Sequence, residues 1–178
     1  MRNHKEIIVF QINLTPMEFW DQYLSNEAPK WFSQFHAWKN DKNVSESSWQ
    51  NASASTLKGS KSIREFSVDL QLEGNAFIKV VPSIKQVHLM DKTENLIKLV
   101  NLGRTPTITY GDTLSMQEEM LCVQCPDGKS SLIRVTSGII WHKSTIMKGL
   151  IQTNCAKESK ISWAKYKEWV QNVNNDMV

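Results

Sequence analysis

From Ile63 to Trp141 the chain reads as one strand after another, and this succession limits the possible folds more than any other feature. In the segment Ile63–Leu72, apolar side chains alternate at Phe66, Val68, Leu70 and Leu72. A long extended run, Ala76–Met90, carries Phe77, Val80, Val81, Ile84, Val87 and Leu89. Asn95–Leu102, Thr113–Cys125 and Leu132–Trp141 are apolar in the same extended way. Period-two spacing belongs to strands with one covered face. Pro126-Asp127-Gly128-Lys129 is a strong turn sequence between the last two. Consecutive strands joined by short turns pair antiparallel. Such a sheet needs an apolar partner on its buried face.

The flanking segments supply one. Glu6–Leu14 is strand-like, and Thr15-Pro16-Met17-Glu18 is a capping box with Pro at the first helical position. It predicts a helix to about Leu24, with Phe19, Trp20 and Tyr23 at its core. Ala28–Trp38 has Trp31, Phe35 and Trp38 at helical spacing, with Phe32 beside them. Asn40–Ser62 is polar and rich in Ser and Asn, and predicts a loop with at most one short strand near Trp49. From Ser144 to Val173 the helical period returns. Met147, Leu150, Ile151, Asn154 and Cys155 form a stripe, continued by Ile161, Trp163, Tyr166, Trp169, Val170 and Val173. Lys143, Lys148, Lys157, Lys160, Lys165 and Lys167 fall at exposed positions. The expected fold class is α+β, a single domain over residues 1–178: a curved antiparallel β-sheet wrapped around a long C-terminal helix. The space such a grip leaves is a common place for an apolar ligand cavity.

Composition narrows the function. A net charge of +3 falls short of the clustered basicity of a nucleic-acid binder, so no nucleic acid is expected. It is compatible with weak attraction to anionic lipid surfaces. The cysteines number three, which does not suggest a disulfide framework. No apolar run approaches the ~20 residues that span a bilayer. The tryptophans number seven, and each is costly to bury without a partner for its N–H. A wide cavity or a membrane-facing loop accommodates such rings.

Catalytic and metal constellations are weak. Cys122 and Cys125 form a C-x-x-C at a strand end, without further ligands at matching spacing. His142 has no acidic residue close in sequence, and Asp112 follows Tyr110-Gly111 as a turn residue does. Glu118 and Glu119 are strand neighbours and point to opposite faces. No phosphate-binding glycine loop or nucleophile elbow occurs. Neither enzymatic activity nor a cofactor or metal is expected.

Three motifs carry a family resemblance. Arg104-Thr105-Pro106-Thr107-Ile108-Thr109-Tyr110-Gly111-Asp112-Thr113-Leu114 resembles the "TP-x-VPYGD-x-F" segment of VASt domains. Gly138-Ile139-Ile140-Trp141-His142-Lys143-Ser144-Thr145-Ile146-Met147-Lys148-Gly149-Leu150-Ile151 resembles their "V-x-W-x-KSTWMKGMIE". Trp49, followed by Ile63-Arg64-Glu65-Phe66-Ser67, resembles "W…R-x-FSY". Thr15 to Trp20 falls at the family's first helix. Ile146 stands in place of the usual aromatic, Gln152 in place of an acid, and Thr107 and Thr109 in place of Val and Pro. The resemblance implies a StART-like helix-grip fold that binds sterols and moves them between membranes without chemistry. It further implies a domain facing the cytosol at endoplasmic reticulum contact sites, as in the Lam and Aster groups, held there by other parts of a parent protein.

A sterol is a rigid apolar plate with one hydroxyl. Burying about 500 Å² of it gives on the order of 10 kcal/mol before association costs. The expected cavity walls are Trp20, Phe32, Phe35, Phe66, Val80, Val87, Met147, Leu150 and Ile151. Ser67, Gln86 and Gln152 are the polar candidates for the hydroxyl. The Ala28–Lys42 segment is the expected lid, with Trp31, Trp38 and Lys39 meeting an anionic membrane. The isolated domain is expected to be a monomer. The alternative is an interaction or scaffold module of the same fold whose cavity is closed.

Overall fold

The computed structural model describes residues 4–52, 62–71 and 81–175. The alternating segments form an antiparallel meander: β4 (Ser62–Asp69), β5 (Ser83–Thr93), β6 (Leu96–Arg104), β7 (Leu114–Gln124) and β8 (Ser131–Trp141). β1 (Lys5–Ile12) closes on β8. β2 (Lys42–Glu46) and β3 (Gln50–Asn51) both pair with β4 at the far edge. The sheet order is β1-β8-β7-β6-β5-β4-β2. The long helix α3 (Lys148–Asn175) lies across the concave face.

Thr15 caps the first helix as the sequence predicts. Its backbone N–H donates to the Glu18 carboxylate at 2.7 Å, and its Oγ1 accepts from the Glu18 N–H at 3.2 Å. Only one α-turn follows, α1 (Pro16–Phe19), before a wider π-turn over Trp20–Leu24. Phe19 and Tyr23 stack at 5.2 Å and are fully buried.

One expectation needs correction. The Asn40–Ser62 region contains β2 and β3 as well as loop. These are edge strands wet on most sides, so they lack the apolar alternation that betrays a half-buried strand, and Asn43, at φ 51°, interrupts the β2 ladder. The strand expected over Ala76–Met90 is described only from Ser83. Residues 72–80, and Val80 with them, lie outside the described residues.

Register sorts the side chains. Phe66 pairs with Gln86, Gly103 with Gln86 and Met116, and Met116 with Ile139, so this row faces α3. The next row is Arg64, His88, Asn101, Glu118 and Ser137. Below it Met90, Leu99, Met120 and Val135 meet Tyr23, Phe35, Trp163, Tyr166 and Trp169 in the main core. The α2 helix (Phe32–Trp38) packs there through Phe35, whose ring meets Tyr166 at 5.1 Å and Trp169 at 5.8 Å. The sheet is thus closed by aromatics at one end. At the other, the described ends of the β4–β5 connection (Leu70, Gln71, Val81 and Pro82), the β6–β7 and β8–α3 connections and the start of β1 form a rim.

Candidate functional site

The buried stripe of α3 changes character along its length. Trp163, Tyr166, Trp169 and Val170 are buried against the sheet in the second half. The same stripe, followed back at 3.6 residues per turn, passes through Ser159, Ala156, Cys155 and Gln152. These side chains are small or polar. Between them and the sheet lies a cavity of about 30 Å³, lined by Ile7, Met116, Ile139, Ala156 and Cys155, with Lys5, Ser137, Gly138 and Gln152 completing it.

One turn below, the polar row crosses the concave face. Glu118 points inward and accepts from the Ser159 hydroxyl. Glu119 points outward to Lys98 at 2.9 Å, as strand alternation requires. Burial raises the Glu118 pKa, partly opposed by hydrogen bonds from Ser159 and Trp163. Asn101 beside it is buried, and its Oδ1 has no hydrogen-bond partner among the described residues. His88 accepts at Nδ1 from Arg64 Nε (3.1 Å) and meets Gln86 Oε1 at 2.8 Å. Arg64 also pairs with the buried Glu46 and stacks over Trp49, 4.4 Å from the ring centre. The site therefore has apolar walls with acceptor groups at its base.

The structure distributes the sequence-derived candidates unevenly. Gln86 faces the space between sheet and helix, Gln152 borders its opening from an exposed position, and Met147 and Ile151 sit half-buried at its upper edge. Phe32, Phe35 and Phe66 belong to the aromatic closure: Phe32 meets Phe66 at 5.4 Å and His88 at 5.9 Å. Val87 and Ser67 are corrected. Both lie on the convex face, because each is one residue out of phase with the inward rows. Leu150 is corrected as well: it is 50% exposed on the side of α3 opposite Gln152 and Ser159. Trp20 packs at the closed end, against Trp49 and under Lys92 Nζ at 4.3 Å. Of the lid residues, Trp38 is exposed and Trp31 half-buried at the start of α2. Lys39 is turned inward onto Asp41 at 3.1 Å, where headgroups do not reach it. Phe35 and His36 seat α2 in the core, not across a mouth.

Sequence reasoning missed Met116, Ile139, Cys155, Ala156, Glu118 and Asn101. The signal was present in the phase of α3. Counting back from Trp163 and Tyr166 lands on Ala156 and Gln152, whereas weighting hydrophobicity alone favours Leu150.

The discarded constellations are architectural. Cys122 is buried in the core, and burial pushes its thiol up to about 11. His142 Nε2 meets Ser115 Oγ at 2.7 Å, and Asp112 pairs with Lys143. No cluster of metal-ligating side chains occurs among the described residues.

A search of curated proteins gives no match. The profile of the VASt family, "VAD1 Analog of StAR-related lipid transfer domain", matches residues 6–158. That span runs from β1 into the third turn of α3 and contains every residue that lines the cavity except Lys5. A helix-grip sheet, a long C-terminal helix and an apolar-walled space between them are what such a domain requires, and the chain belongs to the VASt family of StAR-related lipid-transfer domains.

Proposed function

We propose that this domain takes up a sterol, or a lipid of similar rigid shape, between α3 and the concave face, and passes it between membranes. The observation that carries the reading is the step from small to large side chains along α3. Gln152, Cys155, Ala156 and Ser159 leave room beside Met116 and Ile139, while Trp163 and Tyr166 fill the space below. A ligand entering from the rim would lay its apolar body on Ile7, Met116, Ile139 and Ala156. Its hydroxyl would point toward Asn101 Oδ1 and Glu118, both acceptors, directly or through water.

About 30 Å³ holds a water, whereas a lipid needs about 300 Å³ or more. Uptake in this reading therefore moves the first turns of α3 outward. Their packing supports that: Leu150 is half exposed, and a methyl group added at Gly149 would meet nothing within 4 Å. The same small cavity favours the second reading, an interaction module of this fold that carries no lipid. The partners in the first reading are a sterol and, transiently, anionic membranes, with the domain monomeric. Its place in this reading is the cytosolic side of endoplasmic reticulum contact sites, through other parts of a parent protein.

Binding of a fluorescent sterol, followed by transfer between liposomes, tests it. The native chain should bind saturably near one to one. Ala156→Trp fills the space and should weaken uptake at least about tenfold. Leu150→Trp faces outward and should leave uptake intact. A folded chain that takes up no sterol leaves the interaction-module reading in its place.

A further inference from the structure

Arg104 heads the segment that runs on through Thr105 and Pro106, yet the cavity makes no use of it. It ends β6 on the convex face, one residue out of phase with Gly103 of the inward row. Its partner in the ladder is Lys85 of β5, and both side chains are exposed. Like charges directly opposite each other destabilise a strand pair. An anion held between them reverses the sign.

The surrounding positions supply no such anion. On the convex face Arg104 is flanked by Lys85 and Ser115, with Ser83, Val87 and Gln117 diagonal to it. None of these is an acid. Glu65 and Asp69 of β4 stand farther off, diagonal to Lys85 on either side of Ser67. Asp69 accepts from Asn43 Nδ2 at 2.6 Å, and neither acid forms an ion pair with Lys85 among the described residues. On the other side, Asp112 is taken by Lys143.

The guanidinium of Arg104 is also held in place. Its Nε donates to Ser115 Oγ at 3.1 Å. Ser115 is only 8% exposed, so this hydroxyl is a fixed anchor. The same oxygen lies 2.7 Å from Nε2 of His142, just past the end of β8. One buried hydroxyl thus ties together two exposed side chains from different strands. Anchoring through Nε leaves both terminal nitrogens of Arg104 without a partner among the described residues. A planar guanidinium with that edge free is shaped to take two oxygens of one anion.

We propose that Arg104, Lys85 and His142, joined through Ser115, form a binding site for a phosphomonoester dianion on the convex face of the sheet. Arg104 takes two oxygens of the phosphate, Lys85 takes the third, and His142 borders the group from the β8 side. A carboxylate has two oxygens and one charge, which Arg104 alone would satisfy. A dianion with three terminal oxygens uses both cations and offsets their repulsion. The site is turned away from α3 and the cavity, so it does not depend on whether a lipid is held there.

Titration of the full chain, followed through its NMR signals, tests the proposal. The ligands are inorganic phosphate, a short peptide carrying one phosphoserine, and the same peptide without the phosphate. The first two should bind saturably, shift the Arg104 Nε–H and His142 ring signals, and bind more weakly at high salt. Arg104→Gln should raise the Kd at least about tenfold, and Lys85→Gln at least about threefold. Lys98→Gln removes a convex-face lysine that is paired with Glu119, and should leave the Kd unchanged. Lys85→Gln should also raise the melting temperature of the unliganded chain, because it relieves the facing charges. Added phosphate should raise the melting temperature of the native chain but not that of Arg104→Gln. Tighter binding of the phosphopeptide would assign the site to a phosphorylated chain, and equal binding to free phosphate esters. No saturation, equal binding of the unphosphorylated peptide, native affinity in Arg104→Gln, or the same loss in Lys98→Gln overturns the proposal. All three variants should take up sterol as the native chain does, so failure of the lipid reading and failure of the phosphate site are read separately.

Discussion

His88 fits its surroundings only as a neutral ring. Arg64 Nε donates to its Nδ1, so the ring proton sits on Nε2 and is given to Gln86 Oε1. A second proton would set two donors against each other. Complete burial, then the positive charge of Arg64, and last the repulsion His36 would add if it too were protonated, hold its pKa well below the usual histidine range. His36 is lowered too, by burial first, with its hydrogen bond to Asp41 opposing and Lys39 adding. Both rings therefore stay neutral in the folded chain at pH values where the unfolded chain takes up protons. Their stabilisation is complete above about pH 6.5 and is lost as pH falls from there toward the folded values. Glu118 runs the other way. Its raised pKa means that stability is gained as pH falls through that raised value toward the usual carboxylate range. The histidine contribution should lower stability below about pH 6.5, by up to about 1.4 kcal/mol per pH unit for each ring. His88→Gln keeps one acceptor and one donor and should remove about half of that slope. Urea unfolding at neutral and mildly acidic pH measures it, and a variant with the native slope would remove His88 from the account.

At the scale of the element, the loop between β6 and β7 shows what the family motif does. Gly111 stands where a Cβ would lie 1.7 Å from the Thr105 carbonyl oxygen and 2.8 Å from its carbon. Backbone, not a yielding side chain, is in the way. Gly111→Ala should therefore cost about 1–3 kcal/mol by forcing the loop apart. Thermal unfolding reads that loss, and a neutral substitution would show that the loop adapts freely. Trp49, Arg64 and Phe66 of the upstream motif are likewise architectural. Arg64 stacks on Trp49, pairs with Glu46 and orients His88, and Trp49 donates its indole N–H to the Leu24 carbonyl. The motifs thus identify the fold mainly through its fastenings, and of the cavity lining only Gly138 and Ile139 fall within them. The meander was legible because half-buried strands alternate visibly. The Thr15 cap was legible because its donors and acceptors lie within one turn. β2 and β3 were not, since edge strands need no apolar face. Nor was the cavity, because its size depends on how Met116, Ile139 and Ala156 meet across three elements. Leu150 misled for a related reason: an apolar side chain near a rim need not face inward.

The molecule as a whole is a grip closed at one end and loose at the other. Phe19, Tyr23, Phe35, Tyr166 and Trp169 lock the second half of α3 to the sheet, and the Tyr23 hydroxyl donates to the Val170 carbonyl at 3.4 Å. The first half has no such anchors: its inward residues are the half-buried Cys155 and Ala156, Gln152 is exposed at the cavity's edge, and Leu150 faces away. One helix therefore spans two regimes, and backbone opening should follow the packing and not the helix as a unit. Amides of residues 152–158 should exchange with deuterium at least about tenfold faster than those of residues 163–170. Sterol loading should slow the first group and leave the second unchanged, because the ligand would supply the apolar contact that the small side chains omit. Ala156→Trp should slow the same amides without any ligand, since it fills that space from within. Uniform protection along α3 would mean that the helix opens as a whole or not at all, and would place the route for a lipid elsewhere on the rim.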